Sequence, residues 1–281
     1  MSQNTNTEDT IDLKELFFSL IAQWKLIALF IILSLVCALL YLRATPDTYS
    51  VDALVQVEDS KGASAALLGD LSQMIDQKSP AQSEIEILKS RLVLGSVIQA
   101  LHLDLNISST EDTLRHRLLK KPHYATEYNP KSVIFKDNTK QFEVRDFLIP
   151  NQFIDKGLTL TFKNRNFFLV DPQNDQIIFT GIINQSNSIQ NKYGAWKISV
   201  FTKDNLTSAY RIHKKSLPAA VNAISSNYTV AERGKMTGIL GLSYQGQDKQ
   251  HITNVLNAIL SAYSAQNVAR RSAETAQTLK C

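Results

Sequence analysis

The side chains best able to do chemistry in this chain are scattered along it. Histidines stand at positions 102, 116, 123, 213 and 251, without the spacing that brings imidazoles together on a metal. Each reads as a surface residue or a satisfied core residue. Gly234-Lys235-Met236 lacks both the hydroxyl after the lysine and the earlier glycine of a phosphate-cradling loop. Gly241-Leu242-Ser243-Tyr244-Gln245-Gly246 misses the nucleophile-elbow spacing by one residue. On a strand pattern, Ser243 reads as structural. The strongest basic patch is Arg115-His116-Arg117 with Lys120-Lys121. Contact with anionic headgroups or an acidic polymer is one reading of it, and a solvated helix face is the favoured one. No catalytic, cofactor-binding or metal-binding residue is therefore assigned.

Position in the chain explains more than chemistry does. Leu26 to Leu42 is a run of seventeen residues without a charge, with Ser34 as the hydroxyl at its centre, framed by Lys25 and Arg43. A hydrocarbon core needs about 20 apolar residues of helix, with a lower limit near 17. Trp24 and Tyr41 suit the interface, and Lys25 and Arg43 can snorkel outward. A cleaved signal peptide would need a basic leader and a small-x-small site. Here Glu8, Asp9, Asp12 and Glu15 oppose Lys14, and Tyr41-Leu42-Arg43-Ala44-Thr45-Pro46 offers no such site. The run reads as an uncleaved transmembrane anchor. With 30 basic and 26 acidic residues the chain is too balanced to argue for nucleic acid. Cys37 lies in the apolar run and Cys281 is the last residue, so no disulfide is expected.

Periodicity supplies the remaining elements. Leu13, Leu16, Phe17, Leu20, Ile21 and Trp24 form one helical face, read as an interfacial helix with Asp12 and Glu15 at its start. Val51, Ala53, Val55 and Val57 alternate as a strand. Residues 58–80 read as a loop with a short helix. Ser83 and Glu86 resemble a capping box for a helix running to about residue 101. A second helix is expected from Thr110 to Lys121. From 131 to 215, short apolar runs separated by Asn-, Asp- and Gly-containing turns predict a compact antiparallel module. A helix near 215–227 and a strand over 238–244 follow. The final helix is capped by Asp248 and carries the stripe Ile252, Val255, Leu256, Ile259, Leu260 and Tyr263. It has no Gly or Pro stop, so the chain is expected to be cut off within it.

Certain strings resemble the polysaccharide chain-length determinant (Wzz) family. They are Ile11-Asp12-Leu13 before the span and Ala44-Thr45-Pro46 with Tyr49 to Glu58 after it. Glu84-Ile85-Glu86-Ile87-Leu88-Lys89-Ser90-Arg91-Leu92-Val93-Leu94-Gly95 is similar to the family's first periplasmic helix. Gly241 to Ile259, then Tyr263, Gln266-Asn267 and Arg270, is similar to its strand and long helix. The β-rich insertion points to Wzc-type members, the bacterial tyrosine autokinases of capsule and exopolysaccharide export. The resemblance implies an α+β fold in five parts. These are a cytoplasmic tail and interfacial helix (1–25), a transmembrane helix (26–43), the first part of a periplasmic base domain (44–130), a β-rich insertion (131–215), and a strand with the start of a long helix (216–281).

It also implies a bacterial inner-membrane protein whose N-terminus is cytoplasmic and whose residues 44–281 are periplasmic. The function implied is that of a co-polymerase and scaffold for polysaccharide length and export, forming a homo-oligomeric ring. A polysaccharide polymerase and an outer-membrane export channel are its implied partners, and nucleic acid is not. No cofactor is expected in this chain; ATP and magnesium are implied only for a kinase domain absent from it, so no kinase residue is carried over and no autokinase activity is expected. Two other classes compete: a single-span enzyme acting on polysaccharide, which would need paired carboxylates in a cleft, and an anchored sensor or adhesin. The family's return helix and closing strand are also absent. The stripe of the last helix and one sheet edge are therefore expected to stay uncovered, giving poor folding or weak assembly. A stable local core is still expected around Val51–Val57, Ile85–Leu101 and Ile239–Tyr244.

Overall fold

Two adjacent helices open the computed structural model, which describes residues 13–57, 80–111, 113, 124–137, 140–234 and 237–278. Helix α1 (Leu13–Ala22) ends at Gln23, whose φ of −101° and ψ of 18° interrupt the helix before α2 (Trp24–Ala44). Helix α2 has 21 residues, an 18-residue stretch of it has a mean hydropathy of 2.6, and none of it is buried. At ~1.5 Å per residue it is roughly 31 Å long. The helix is longer than the apolar run because Trp24, Lys25, Arg43 and Ala44 are also helical.

Five residues past Ala44 the chain enters strand β1 (Tyr49–Gln56), in which half-buried and exposed positions alternate throughout. Helices α3 (Pro80–Lys89) and α4 (Arg91–Leu101) come next. The single helix expected to start near Ser83 is two. Proline is tolerated in a first turn, where its missing N–H costs nothing, so α3 begins at Pro80 and leaves Ser83 inside it. Ser90 breaks the run with an extended backbone (φ −71°, ψ 157°). Its hydroxyl donates to the Ile87 carbonyl at 2.7 Å, and its own carbonyl accepts the Leu94 N–H at 3.0 Å. His102, in the left-handed conformation (φ 55°), ends α4.

The chain then builds ten strands: β2 (Leu105–Ser109), β3 (Tyr124–Asn129), β4 (Ser132–Asp137), β5 (Lys140–Leu148), β6 (Gly157–Lys163), β7 (Asn166–Asp171), β8 (Gln176–Ile182), β9 (Ser186–Asn191), β10 (Gly194–Phe201) and β11 (Tyr210–Lys214). They form two five-stranded antiparallel sheets, ordered β3-β4-β5-β10-β9 and β2-β11-β6-β7-β8. One core joins them, with Trp196, Phe135, Phe142, Phe167, Leu160 and Ile198 at 2% exposure or less. The β-rich region thus opens at Leu105 rather than at the expected 131. The helix expected over 110–121 lies largely outside the described residues, and Thr110 and Glu111 form a turn. The segment 58–79 and the basic cluster from Arg115 to Lys121 also lie outside them.

Strands β2 and β11 pair side by side, with Leu105 opposite Lys214 and Ser109 opposite Tyr210. The entry and exit of the sandwich therefore form one narrow neck. There the Lys215 N–H donates to the Asp104 carbonyl at 2.7 Å, and Lys214 meets the Asp104 carboxylate at 2.7 Å.

Beyond the neck come α5 (Leu217–Ser225), β12 (Tyr228–Glu232), β13 (Ile239–Gly246) and α6 (Lys249–Thr278). The base sheet has the order β1-β13-β12, all antiparallel. Its second core takes Leu88, Leu94, Leu240, Leu242, Val255 and Ile259, each fully buried. The three segments expected to form a local core all contribute to it. The expectation of an uncovered stripe on α6 does not hold. Ile252, Val255, Leu256, Ile259 and Tyr263 are all buried, because α6 packs on α4, β1 and β13. Burial of such side chains stabilises by ~1.5–3 kcal/mol each, which helps offset the ordering of the helix. Past Tyr263 no described residue of the helix is buried, and Val268 is exposed.

Candidate functional site

Three joints in the base bear on function. The first links the apolar helix to the sheet. Thr45–Thr48 is the whole connection between α2 and β1. Tyr49, the first residue of β1, pairs with Gly246 at the end of β13. The Lys249 ammonium lies 4.5 Å from the centre of the Tyr49 ring, a cation–π contact. The exit of α2 and the start of α6 are thus held at one place. Asp248 fixes that start: its side chain accepts the His251 N–H at 2.9 Å, and its carbonyl accepts the Ile252 N–H at 3.0 Å.

The second joint is where the sandwich meets the base. His251 of α6 packs on Tyr128 of β3 with ring centres 4.8 Å apart. Burial holds the His251 imidazole below its usual range, with Asp248 opposing the shift. Burial also pushes the Tyr128 phenol up to about 12.

The third joint ties α3 to the far half of α6. Glu84 is buried, yet it carries a carboxylate. It accepts the Tyr263 hydroxyl at 2.8 Å and an Arg270 guanidinium N–H at 2.6 Å. Arg270 also donates to Asn267 at 3.1 Å. Burial, and then the Glu84 carboxylate, push the Tyr263 phenol up to about 12. The hydroxyl therefore stays a donor across the physiological range. Ile87, Leu92 and Gln266 complete a small cleft around these groups. With Glu84 bonded to both Tyr263 and Arg270, the arrangement acts as a clamp between two helices. The sequence carried a signal for it. Glu84 sits one turn before Leu88 on the buried face of α3, and Tyr263 and Arg270 are seven apart on one face of α6. A charge on an apolar helical face demands a partner.

The residues with potential chemistry are not brought together. His102 caps α4, His213 lies in β11 and His251 starts α6, while His116 and His123 lie outside the described residues. Among the described residues, no group of His, Cys, Asp and Glu is placed to hold a metal ion. Ser243 sits in β13 opposite Asp52, and its hydroxyl lies 3.0 Å from that of Ser50. That is a cross-strand pair of the base sheet. Lys235 and Met236 lie outside the described residues.

Comparison with known proteins adds identity to this geometry. The chain length determinant protein family, Wzz, matches residues 9–101. That stretch runs from before α1 to the end of α4. The tyrosine-protein kinase ptk of Acinetobacter johnsonii is 69% identical over 280 residues, covering 100% of this chain and 38% of that protein. The tyrosine-protein kinase wzc of Salmonella typhimurium is 29% identical over 274 residues, covering 96% of this chain and 35% of its own length. The tyrosine-protein kinase etk of Escherichia coli is 28% identical over 287 residues, covering 99% and 37%. The chain therefore spans little more than a third of these relatives. It carries a Wzz chain length determinant domain and corresponds to the N-terminal part of Wzc-type tyrosine-protein kinases.

Proposed function

We propose that this chain is the membrane-anchored, non-catalytic part of a polysaccharide co-polymerase. It would serve as a scaffold that regulates the length and export of a capsular or exopolysaccharide. The observation that carries the reading is the closure of the base sheet. Strand β1, directly after the apolar helix, pairs along its full length with β13, directly before the long helix, from Tyr49–Gly246 to Gln56–Ile239. The matched Wzz region supplies α2, β1, α3 and α4 of that unit. The arrangement suits an anchor that holds a base at a set distance from the membrane.

In this reading α2 crosses the bacterial inner membrane, the N-terminus is cytoplasmic and residues 44–281 are periplasmic. Copies assemble as a homo-oligomeric ring beside a polysaccharide polymerase and an outer-membrane export channel. In this reading ATP and magnesium belong only to a kinase domain outside this chain, which itself holds no cofactor.

Two experiments test the proposal. Deleting the gene from its host should shift the size distribution of surface polysaccharide, and the full-length gene should restore it; an unchanged distribution sinks the co-polymerase reading. Alkaline phosphatase fused after Ser60 should be active, and fused after Asn6 it should be silent. Activity after Asn6 overturns the orientation.

A further inference from the structure

The sandwich carries a cleft that the base does not use. Three connections meet there: Asn164-Arg165 between β6 and β7, Ile183–Gln185 between β8 and β9, and Thr202–Asn205 after β10. The cleft is about 540 Å³, within the ~300–1,000 Å³ usual for ligand sites. Its backbone is fixed by its own hydrogen bonds. The Ile183 N–H donates to the Arg165 carbonyl at 2.9 Å. Asn184 and Thr202 bond reciprocally: the Asn184 amide donates to the Thr202 carbonyl at 3.0 Å, and the Thr202 N–H donates to Asn184 Oδ1 at 2.9 Å. The Asp204 carboxylate accepts the Gln141 N–H at 2.7 Å. Asn164 and Asn184 hold left-handed backbones (φ 58° and 64°) that tighten two of the three turns. A site held this way loses little entropy when it binds.

The polar groups left over define what fits. Asn164, Arg165, Gln185, Lys203 and Asn205 line the cleft, and their side chains make no hydrogen bond or ion pair within the described structure. Two cations stand against one carboxylate, and that carboxylate is already engaged by Gln141. Three amides offer both donors and acceptors, as a ligand rich in hydroxyl groups requires. Ile182 is exposed at the edge of the cleft and gives an apolar surface for the C–H face of a sugar ring. No aromatic side chain lines it, so base stacking, the usual device for single-stranded nucleic acid, is not provided.

We propose that this cleft binds an acidic saccharide, a hydroxyl-rich stretch of polymer bearing a carboxylate that pairs with Arg165 and Lys203. The inference rests on the polysaccharide reading above and deepens it by assigning the contact to the sandwich tip. Arginine is well suited to the carboxylate because its planar fork can donate two parallel bonds.

The test uses the full chain in detergent. A glucuronate-containing tetrasaccharide is titrated calorimetrically beside neutral maltotetraose and inorganic phosphate. The acidic tetrasaccharide should bind at least fivefold more tightly than maltotetraose, and its affinity should fall as salt rises. Arg165→Ala with Lys203→Ala should weaken it at least tenfold. Lys192→Ala, in the turn at the opposite end of β9, should leave it unchanged. Trp196 fluorescence, reporting the sandwich core, should be the same in all variants. An Arg165→Ala/Lys203→Ala chain that binds as the parent does overturns the proposal. Equal affinity for the neutral sugar also overturns it, as does full displacement by equimolar phosphate, which would mean anion binding alone. Failure here with a normal response to gene deletion removes only the saccharide cleft. An unchanged polysaccharide after gene deletion removes the co-polymerase reading whatever the cleft binds.

Discussion

Replacing Glu84 with alanine should release the far half of α6 from α3 while leaving the base sheet intact. The variant removes a buried carboxylate that accepts two hydrogen bonds, from Tyr263 at 2.8 Å and from Arg270 at 2.6 Å. A hydrogen bond to a charged group contributes ~1.5–3 kcal/mol, and Tyr263, only 7% exposed, would keep a donor with nothing to receive it. The Arg270 side chain is 40% exposed, so its ion pair is discounted to ~0.2–1 kcal/mol. The sum is about 2–4 kcal/mol. At ~1.4 kcal/mol per factor of ten, amides from 263 to 278 should exchange roughly 30- to 700-fold faster. Those around Val255 and Ile259 should keep their protection, because the sheet covers them. Glu84→Gln retains an acceptor for the phenol and should lose about half as much. A double-mutant cycle with Tyr263→Phe should return a coupling of ~1 kcal/mol or more. Exchange within threefold of the parent across 263–278, or an equal loss at 252–259, would refute the idea that Glu84 clamps the two helices.

Three further outcomes follow from other parts of the molecule. Gly181→Ala would place a methyl 2.3 Å from Cζ of Phe167, a fully buried ring, and should cost ~1–3 kcal/mol by overpacking; an unchanged denaturation midpoint read by Trp196 fluorescence would contradict it. His251 has a folded-state pKa below its unfolded value of about 6.5, so stability is full above that pH and is lost as pH falls through the folded value. His251→Phe keeps a ring on Tyr128 and should flatten the melting profile below about pH 6.5; a profile parallel to the parent's would exclude His251 as the cause. Leu33→Arg at the centre of α2 should raise the cost of insertion by ~2.5–3.5 kcal/mol and reduce the membrane-extracted fraction; equal recovery from membranes would argue against α2 as the anchor.

What could be read from the residues was local. The alternation of Val51–Val57 and the 3.6-residue stripe from Ile252 to Tyr263 announce their elements because each buries one face against a single layer. The pairing of β1 with β13 is not legible in the same way, since Ser50 and Ser243 are 193 positions apart and neither strand names its partner. Strand β2 was hidden for another reason. Leu105, Ile107 and Ser109 point inward, but the segment is short and runs toward a charged stretch that dominates its texture. The break at Ser90 is not legible in the sequence because apolar periodicity continues across it while the helical backbone does not. Glu84 showed the opposite problem. Its position on an apolar face was visible, yet its partners lie on α6, so only the folded chain reveals why the charge is tolerated.

The neck between Asp104 and Lys215 gives the molecule an architecture of separable parts. A segment whose two ends leave and return side by side imposes little geometric demand on its host beyond that neck and the Tyr128–His251 contact. The closure term for a flexible loop grows only logarithmically, about 0.6 kcal/mol per doubling of length. The β1–β13 register is set by strands that lie outside the inserted segment. Turns at the sandwich tip can thus lengthen, shorten or change sequence while the anchored base keeps its register. Selection can act on the two regions at different rates, conserving the frame and diversifying what it carries.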